Sequence, residues 1–322
     1  MCGCGVTHLR KALVTGGAGA IGGTLVARLV RDGWDVLVVD DLSSGRRENL
    51  PSGIPFFWKG SITDEALLDE IFDQKPQVIF HLAAHFANQN SVEHPLADLD
   101  TNTRGTLMLL ERALKSGVQR FVYASSSCVY GSAAEMTEDV IGMELDTPYA
   151  ISKMAGERYV RFFGHHYGLG TVSLRYFNSY GPGDLPGPYR NVIPNFFARA
   201  LRGQALVITG TGEETRDFTY VSDTVEATIR AGVQPLDPGE VLNIGGGRPT
   251  EILTLAQKIN ALTKNSAGIE YKPRRGWDGI PHRRANVKKM ASLLGYTPST
   301  TLDDGLNQTY RWILTEQEAF LR

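Results

Sequence analysis

The stretch "VTGGAGAIGG" (14–23) decides how the chain is read. It follows a short β-rich run, "KALVTG" (11–16), and opens a run with helical spacing, "GTLVARLVRDG" (23–33). Gly17, Gly19 and Gly22 satisfy G-x-G-x-x-G, and Gly16 adds a fourth glycine. Between a strand and a helix, this pattern permits a tight turn, lets backbone approach a pyrophosphate, and lets helix pack closely on strand. The helix start presents free N–H groups and a partial positive charge to the phosphates. A second β-rich run, "DVLVVD" (35–40), ends at Asp40, 18 residues beyond Gly22. A carboxylate there accepts hydrogen bonds from a ribose diol and repels a 2′-phosphate. The expectation is a dinucleotide cofactor, NAD in preference to NADP, although Arg46 and Arg47 just beyond leave NADP open.

Outward from this loop, apolar runs alternate with amphipathic ones. "QVIFHLAA" (77–84), "RFVYASS" (120–126) and "GTVSLRYFN" (170–178) read as strands; "EALLDEIFDQ" (65–74) and "TRGTLMLLERALKSG" (103–117) read as helices. Strands that are continuously apolar are buried on both faces, and strand–helix alternation with right-handed crossovers gives an α/β fold with a doubly wound parallel sheet. After about residue 178 the pattern changes. "SYGPGDLPGPYRNVIP" (179–194) is rich in Gly and Pro and reads as loop. The division expected is a cofactor-binding domain over 1–177 and a smaller α/β substrate domain over 178–322, with segments near 217–245 returning to the first.

Composition excludes several classes. The net charge is -2 with both signs interspersed, so nothing suggests a nucleic-acid groove or an anionic membrane surface. No stretch approaches the roughly 20 apolar residues of a membrane span, and the first residues do not form a secretory signal. The three cysteines, Cys2, Cys4 and Cys128, give no disulfide framework, and Cys2, Cys4 and His8 lack zinc spacing. A reduced cytoplasmic compartment and no metal are expected.

Two further stretches carry chemistry. "YASSSCVYG" (123–131) ends a strand in three serines, Ser125 to Ser127. In a doubly wound sheet, ligands bind outside the carboxyl ends of the strands, so these hydroxyls face the cofactor's reactive end. "TPYAISK" (147–153) places Tyr149 and Lys153 one helical turn apart. A phenol with a pKa near 10 is a poor base at neutral pH, and a cation within about 4–6 Å favours its phenolate.

With these residues in place, the chain resembles an extended short-chain dehydrogenase/reductase of the NAD-dependent sugar epimerase/dehydratase family, over nearly its whole length. The resemblance is carried by "VTGGAGAIG", "HLAA" (81–84), "YASSSCVYG", "PYAISK", "RYFNSYGPG" (175–183) and "TRDFTYVSD" (215–223). It implies a Rossmann-type fold, a homodimer built on the helix from Tyr149 to Tyr167 and the helix near 103–116, and catalysis by Tyr149, Lys153 and Ser126. NAD contacts are implied for Gly16, Gly19, Ala20, Ile21, Gly22, Asp40, Ser61, Ile62, Leu82, Ala83, Ala84, Asn102, Ser125 and Tyr176, as well as for Tyr149 and Lys153. Nucleotide-sugar contacts are implied for Ser126, Ser127, Asn178, Asn191, Val192, Arg216, Arg275 and Asp278. The chain departs from many relatives at Ser61, where they carry aspartate, and at His85, where some carry lysine or glutamine.

Within the family the chain is most similar to UDP-hexose 4-epimerases. The implied reaction is transient oxidation of the sugar at C4 and return of the hydride to the opposite face. Related dehydratases carry an Asp-Glu pair after the catalytic Thr and decarboxylases keep a glutamate; here those positions are Ser127 and Cys128. A uronate 4-epimerase stands closer, but such enzymes commonly have Thr where Asn178 stands and an arginine nearby for the carboxylate, whereas "GPGDLPG" offers Asp184. A neutral hexose of the UDP-glucose/UDP-galactose type is therefore favoured. His282 matches a position whose bulk limits N-acetyl sugars in relatives. A non-catalytic NAD-binding protein is the remaining alternative, and it often lacks the Tyr or the Lys.

Overall fold

The computed structural model describes residues 10–133, 135–140, 142, 144–274 and 280–321. Seven strands form the central sheet: β1 (Lys11–Thr15), β2 (Asp35–Asp40), β3 (Phe56–Lys59), β4 (Val78–His81), β5 (Arg120–Ser126), β6 (Thr171–Tyr176) and β7 (Glu240–Ile244). Their spatial order is β7-β6-β5-β4-β1-β2-β3, and every pairing is parallel. The chain winds one way from β1 to β3 and the other way from β4 onward. The order therefore reverses between β1 and β4, which opens a crevice at their carboxyl ends.

Successive side chains of a strand point to opposite faces, so a continuous apolar run feeds two cores. Val14, Val38, Phe80 and Val122 pack with α1 (Ala20–Arg31) and the helix Val221–Val233 on one face. Leu13, Leu37, Ile79 and Phe121 pack on the other with the helices Glu65–Asp73, Thr106–Lys115 and Pro148–Tyr167.

The structure departs from the sequence reading in places. "FFWK" forms the edge strand β3, which is too short and too little buried to show a period. The run 77–84 leaves the sheet after His81, because the N–H groups of Leu82 and Ala83 turn back to the backbone and hydroxyl oxygens of Thr15 (3.0 and 3.2 Å). The helix read over 103–117 begins with a π-helical turn, Asp100–Gly105. The loop after β6 ends at residue 191, where the helix Val192–Leu201 starts.

Three short ribbons roof the carboxyl edge. They pair Ser179–Tyr180 with Thr219–Tyr220, Leu206–Thr209 with Ile269–Lys272, and Thr215–Asp217 with Pro249–Glu251. Between them the chain returns to the sheet as β7, beside β6. The helix before β7 is tied to α1 by the Arg28–Glu226 ion pair (2.8 Å).

Candidate active site

A cleft of about 980 Å³ lies between the carboxyl edge of the sheet and this roof. The glycine loop forms its floor. A Cβ at Gly22 would stand 2.1 Å from the Gly16 carbonyl oxygen, so only glycine lets α1 start this close to the turn. No side chain caps the start of α1 and no acidic residue sits in its first turn, so its N–H groups face the cleft uncompensated. Asp40 lines the same cleft and accepts from the N–H groups of Ala18 and Leu42, both at 2.9 Å. Burial raises its pKa against these two bonds. The bonds fix the carboxylate at the end of β2 with lone pairs left for a diol. Donor loop, fixed carboxylate and a floor without side chains fit an adenine dinucleotide. The protein is expected to bind NAD about tenfold or more tighter than NADP by calorimetry; equal affinities would remove this role from Asp40.

The helix Pro148–Tyr167 positions the reactive groups. Pro148 occupies its first turn and Thr147 caps it, accepting from the Ala150 N–H at 3.3 Å. The Tyr149 N–H, which has no partner within its own helix, donates to Ser91 Oγ at 3.0 Å. Gly156 lets the helix lie on β5: a Cβ there would meet Tyr123 Oη at 2.4 Å. One turn below Tyr149, Lys153 Nζ donates to the Ala124 carbonyl (2.9 Å) and stands 6.0 Å from the Tyr149 ring centroid. The Ser126 hydroxyl accepts from the Cys128 N–H at 3.2 Å and stands close enough to the Tyr149 phenol to favour its ionised form. Tyr149, Lys153 and Ser126 thus meet at the end of β5.

Their electrostatics differ from the sequence expectation. Burial pushes the Tyr149 phenol above its ordinary value, and the nearby Ser126 hydroxyl only partly opposes this. Burial also lowers Lys153 to about 8, with Asp98 pulling the other way. Desolvation thus dominates, and the chain's own groups leave Tyr149 protonated.

Behind these groups lies a buried polar layer. Asp98 accepts from Ser152 Oγ (2.6 Å) and Asn102 Nδ2 (2.9 Å), and Asn102 Oδ1 accepts from the His85 N–H (2.8 Å). Asn102 is fully buried and does not line the cleft; it bonds the backbone of His85, ahead of the helix Asn88–Glu93, and so fixes the chain where it enters the site. Ser125 donates to Glu157 (2.7 Å), and Glu157 pairs with Arg175 (2.7 Å).

The other expected contacts line the cleft where described: Ala20, Ile21, Ser61, Ile62, Leu82, Ala83, Ala84 and Tyr176 toward the sheet, and Asn178, Asn191, Val192 and Arg216 toward the roof. Arg275 and Asp278, and the residues Cys2, Cys4 and His8, lie outside the described residues. Among the described residues no group of side chains is arranged to hold a metal ion, and no helix is long and apolar enough to cross a membrane. The structure corrects one residue. His282 is exposed, bonds Thr215 Oγ1 (3.2 Å) and does not line the cleft; the next residue, Arg283, does, and donates to the Ser127 carbonyl at 2.9 Å. Sequence reasoning missed Arg283 because it lies 156 residues from Ser127, whose carbonyl it reaches.

A parallel sheet with a reversed strand order, a phosphate loop and a Tyr–Lys–Ser cluster at its carboxyl edge marks a class: nicotinamide-dependent enzymes acting on a carbon–hydroxyl bond. Comparison with known proteins narrows it. The chain belongs to the NAD dependent epimerase/dehydratase family, whose profile matches residues 12–245. It is similar to an epimerase from Methanothermobacter thermautotrophicus, with 44% identity, 97% of this chain and 94% of that one covered, and a TM-score of 0.95. It is also similar to the UDP-glucose 4-epimerase of Thermotoga maritima solved with UDP-glucose, with 36% identity, 95% and 99% covered, and a TM-score of 0.90. Among curated proteins, the UDP-N-acetyl-alpha-D-glucosaminuronate decarboxylase of Bacillus cytotoxicus is 36% identical, covering 94% of this chain and 97% of that protein.

Proposed function

We infer that the protein interconverts UDP-hexoses at C4, oxidising the carbinol and returning the hydride to the other face. The observation that carries this reading is the Tyr149–Ser126–Lys153 cluster beside two uncharged residues, Ser127 and Cys128. NAD⁺ held by the glycine loop and Asp40 would supply the hydride acceptor and a positive charge to the site. Tyr149 takes the hydroxyl proton and gives it back, while Ser126 orients the same oxygen. Lys153 supplies charge 6.0 Å from the centre of the phenol ring. Among the described residues no carboxylate stands at positions 127 or 128 to carry the keto intermediate on to water loss. Arg216 and Asn191 hold the nucleotide end, remote from the reacting carbon, so the sugar can turn between the two transfers. UDP-glucose and UDP-galactose are the simplest such pair, and the Thermotoga maritima neighbour acts on that pair's first member by name. Incubation with UDP-glucose, UDP-galactose, UDP-glucuronate and UDP-N-acetylglucosamine, with products resolved by NMR, tests the reading; a 4-keto-6-deoxy sugar or a pentose as product would overturn it.

We also infer a homodimer. Ile151, Tyr159 and Phe162 on the helix Pro148–Tyr167 are exposed, and so are Leu96 and Leu99 before the π-helical turn, with Leu96 77% exposed. The apolar surface therefore falls N-terminal to the 103–116 helix named from the sequence. Light scattering at micromolar concentration is expected to give twice the chain mass, and Ile151→Asp with Phe162→Asp to give a monomer. A monomeric parent protein would sink the idea.

A further inference from the structure

We propose that Asp98 is a positioning residue whose buried carboxylate is the counter-charge of Lys153, set behind the reacting groups. The proposal rests on the C4-oxidation reading and adds to it the group that keeps the lysine charged. Among the described residues, the lysine and arginine side chains that are buried are Lys153 and Arg175, each 2% exposed. Arg175 is matched by Glu157 in direct contact, at 2.7 Å. Lys153 has no carboxylate in contact among the described residues. Its Nζ donates to the Ala124 carbonyl at 2.9 Å, and the rings of Tyr123 and Tyr149 stand 5.0 and 6.0 Å away. An ammonium is costly to bury without an opposite charge nearby.

Asp98 is the carboxylate left to answer it. It is fully buried, and the bonds it receives come from neutral groups, Ser152 Oγ at 2.6 Å and Asn102 Nδ2 at 2.9 Å. The Asn102 amide cannot be turned round, because its Oδ1 accepts from the His85 N–H at 2.8 Å; Nδ2 therefore faces Asp98 as a donor. Donors aimed at a carboxylate favour its ionised form and leave its charge unopposed. Ser152 immediately precedes Lys153, so the bond that fixes the carboxylate also fixes the turn of helix that carries the lysine. The other titratable groups around Lys153 supply no free negative charge at neutral pH. Burial raises the phenols of Tyr123 and Tyr149 and lowers His81 so that it is neutral, and Glu157, one helical turn on, is taken by Arg175. His85 also acts on Asp98, and burial lowers its pKa, so it too is neutral. Burial lowers Lys153 to about 8 and raises Asp98, and each charge opposes the shift of the other.

The test uses the NAD-loaded protein with isotope-labelled lysine and aspartate, and its Asp98→Asn and Ser152→Ala variants. The Lys153 signal is assigned by its loss in Lys153→Met and followed against pH by NMR. Asp98→Asn keeps the shape and removes the charge, so its Lys153 midpoint is expected about one pH unit or more below that of the parent. Ser152→Ala removes a bond and keeps the charge, so its midpoint is expected to stay with the parent. Turnover that is lost as Lys153 loses its proton should be lost at correspondingly lower pH in Asp98→Asn. In the parent alone, the Asp98 carboxyl carbon is expected to shift in step with Lys153, a readout that holds even where Asp98→Asn does not fold. An unchanged midpoint in Asp98→Asn, an equal drop in Ser152→Ala, or an Asp98 signal that is flat through the Lys153 titration overturns the proposal. A lowered Lys153 midpoint in Asp98→Asn without epimerisation of any UDP-sugar by the parent leaves the proposal standing and removes the epimerase reading. Epimerisation of UDP-glucose with equal midpoints does the reverse.

Discussion

Tyr149→Phe is expected to lower turnover by about 10²–10⁴-fold, the range of a lost general acid–base group, while NAD and UDP-sugar remain bound. The substitution keeps the ring that packs edge-on against Phe86 at 5.8 Å and the backbone N–H that donates to Ser91. It removes only the hydroxyl that lies near Ser126. Loss of turnover with unchanged cofactor affinity therefore isolates the proton transfer, and near-normal turnover would show that another residue is the base. Lys153 adds a pH signature. Its pKa is lowered by burial to about 8, so its charge is present below that pH and lost above it. The step that needs this charge should weaken as pH rises through 8. The same depression means that burying the charged lysine opposes folding at neutral pH by about 3 kcal/mol, an opposition that fades from pH 8 toward the unfolded value of 10.5. Lys153→Met is thus expected to lose activity and gain stability together.

The largest stability effect is expected at Glu157. Its carboxylate meets Arg175 through two bonds, at 2.7 and 3.1 Å, and accepts from Ser125 at 2.7 Å; all three residues are buried. Among the described residues, Glu157→Leu leaves the guanidinium of Arg175 with the carbonyls of Glu138 and Val140, at 3.4 and 3.3 Å, and the ring of Tyr130, 4.7 Å away. Removing one partner of a buried pair costs about 3–5 kcal/mol, because the other charge stays desolvated. Urea unfolding should report this as a lower midpoint at unchanged slope. Replacing both partners with apolar residues of similar size should recover much of the loss. A loss below about 1 kcal/mol in the single variant would show that water reaches Arg175.

The fold was legible where one residue type solves one local problem. The glycines of 16–22 and the apolar runs of β1, β2, β5 and β6 each state their geometry locally. Tyr149 and Lys153 were legible because helical spacing alone brings them together. Arg283 was not, and Asn102 was named only through the family resemblance, without its hydrogen-bonded partners. The first reaches Ser127 only because the chain folds back over the sheet, and the second works through hydrogen bonds to His85, Asp98 and Ser152 that no spacing encodes. Desolvation of Tyr149 was hidden for the same reason: the sequence names the lysine beside the phenol, but burial depends on everything packed around it.

The return of the chain to the sheet as β7 has a consequence for how such a protein can change over time. The cofactor half is not a cassette. Cutting after residue 178 would strip β6 of its outer neighbour and remove the helix Val221–Val233 that covers one face and is pinned to α1 through Arg28 and Glu226. A recombination event that exchanged everything beyond β6 would therefore deliver a new specificity and an incomplete sheet in the same step. New sugars are reached more safely by point changes and loop insertions in the segments between β6 and β7 and after β7, where the chain leaves the sheet to build the roof. Lineages diverging from this chain should differ in chemistry residue by residue while their sheets stay superimposable.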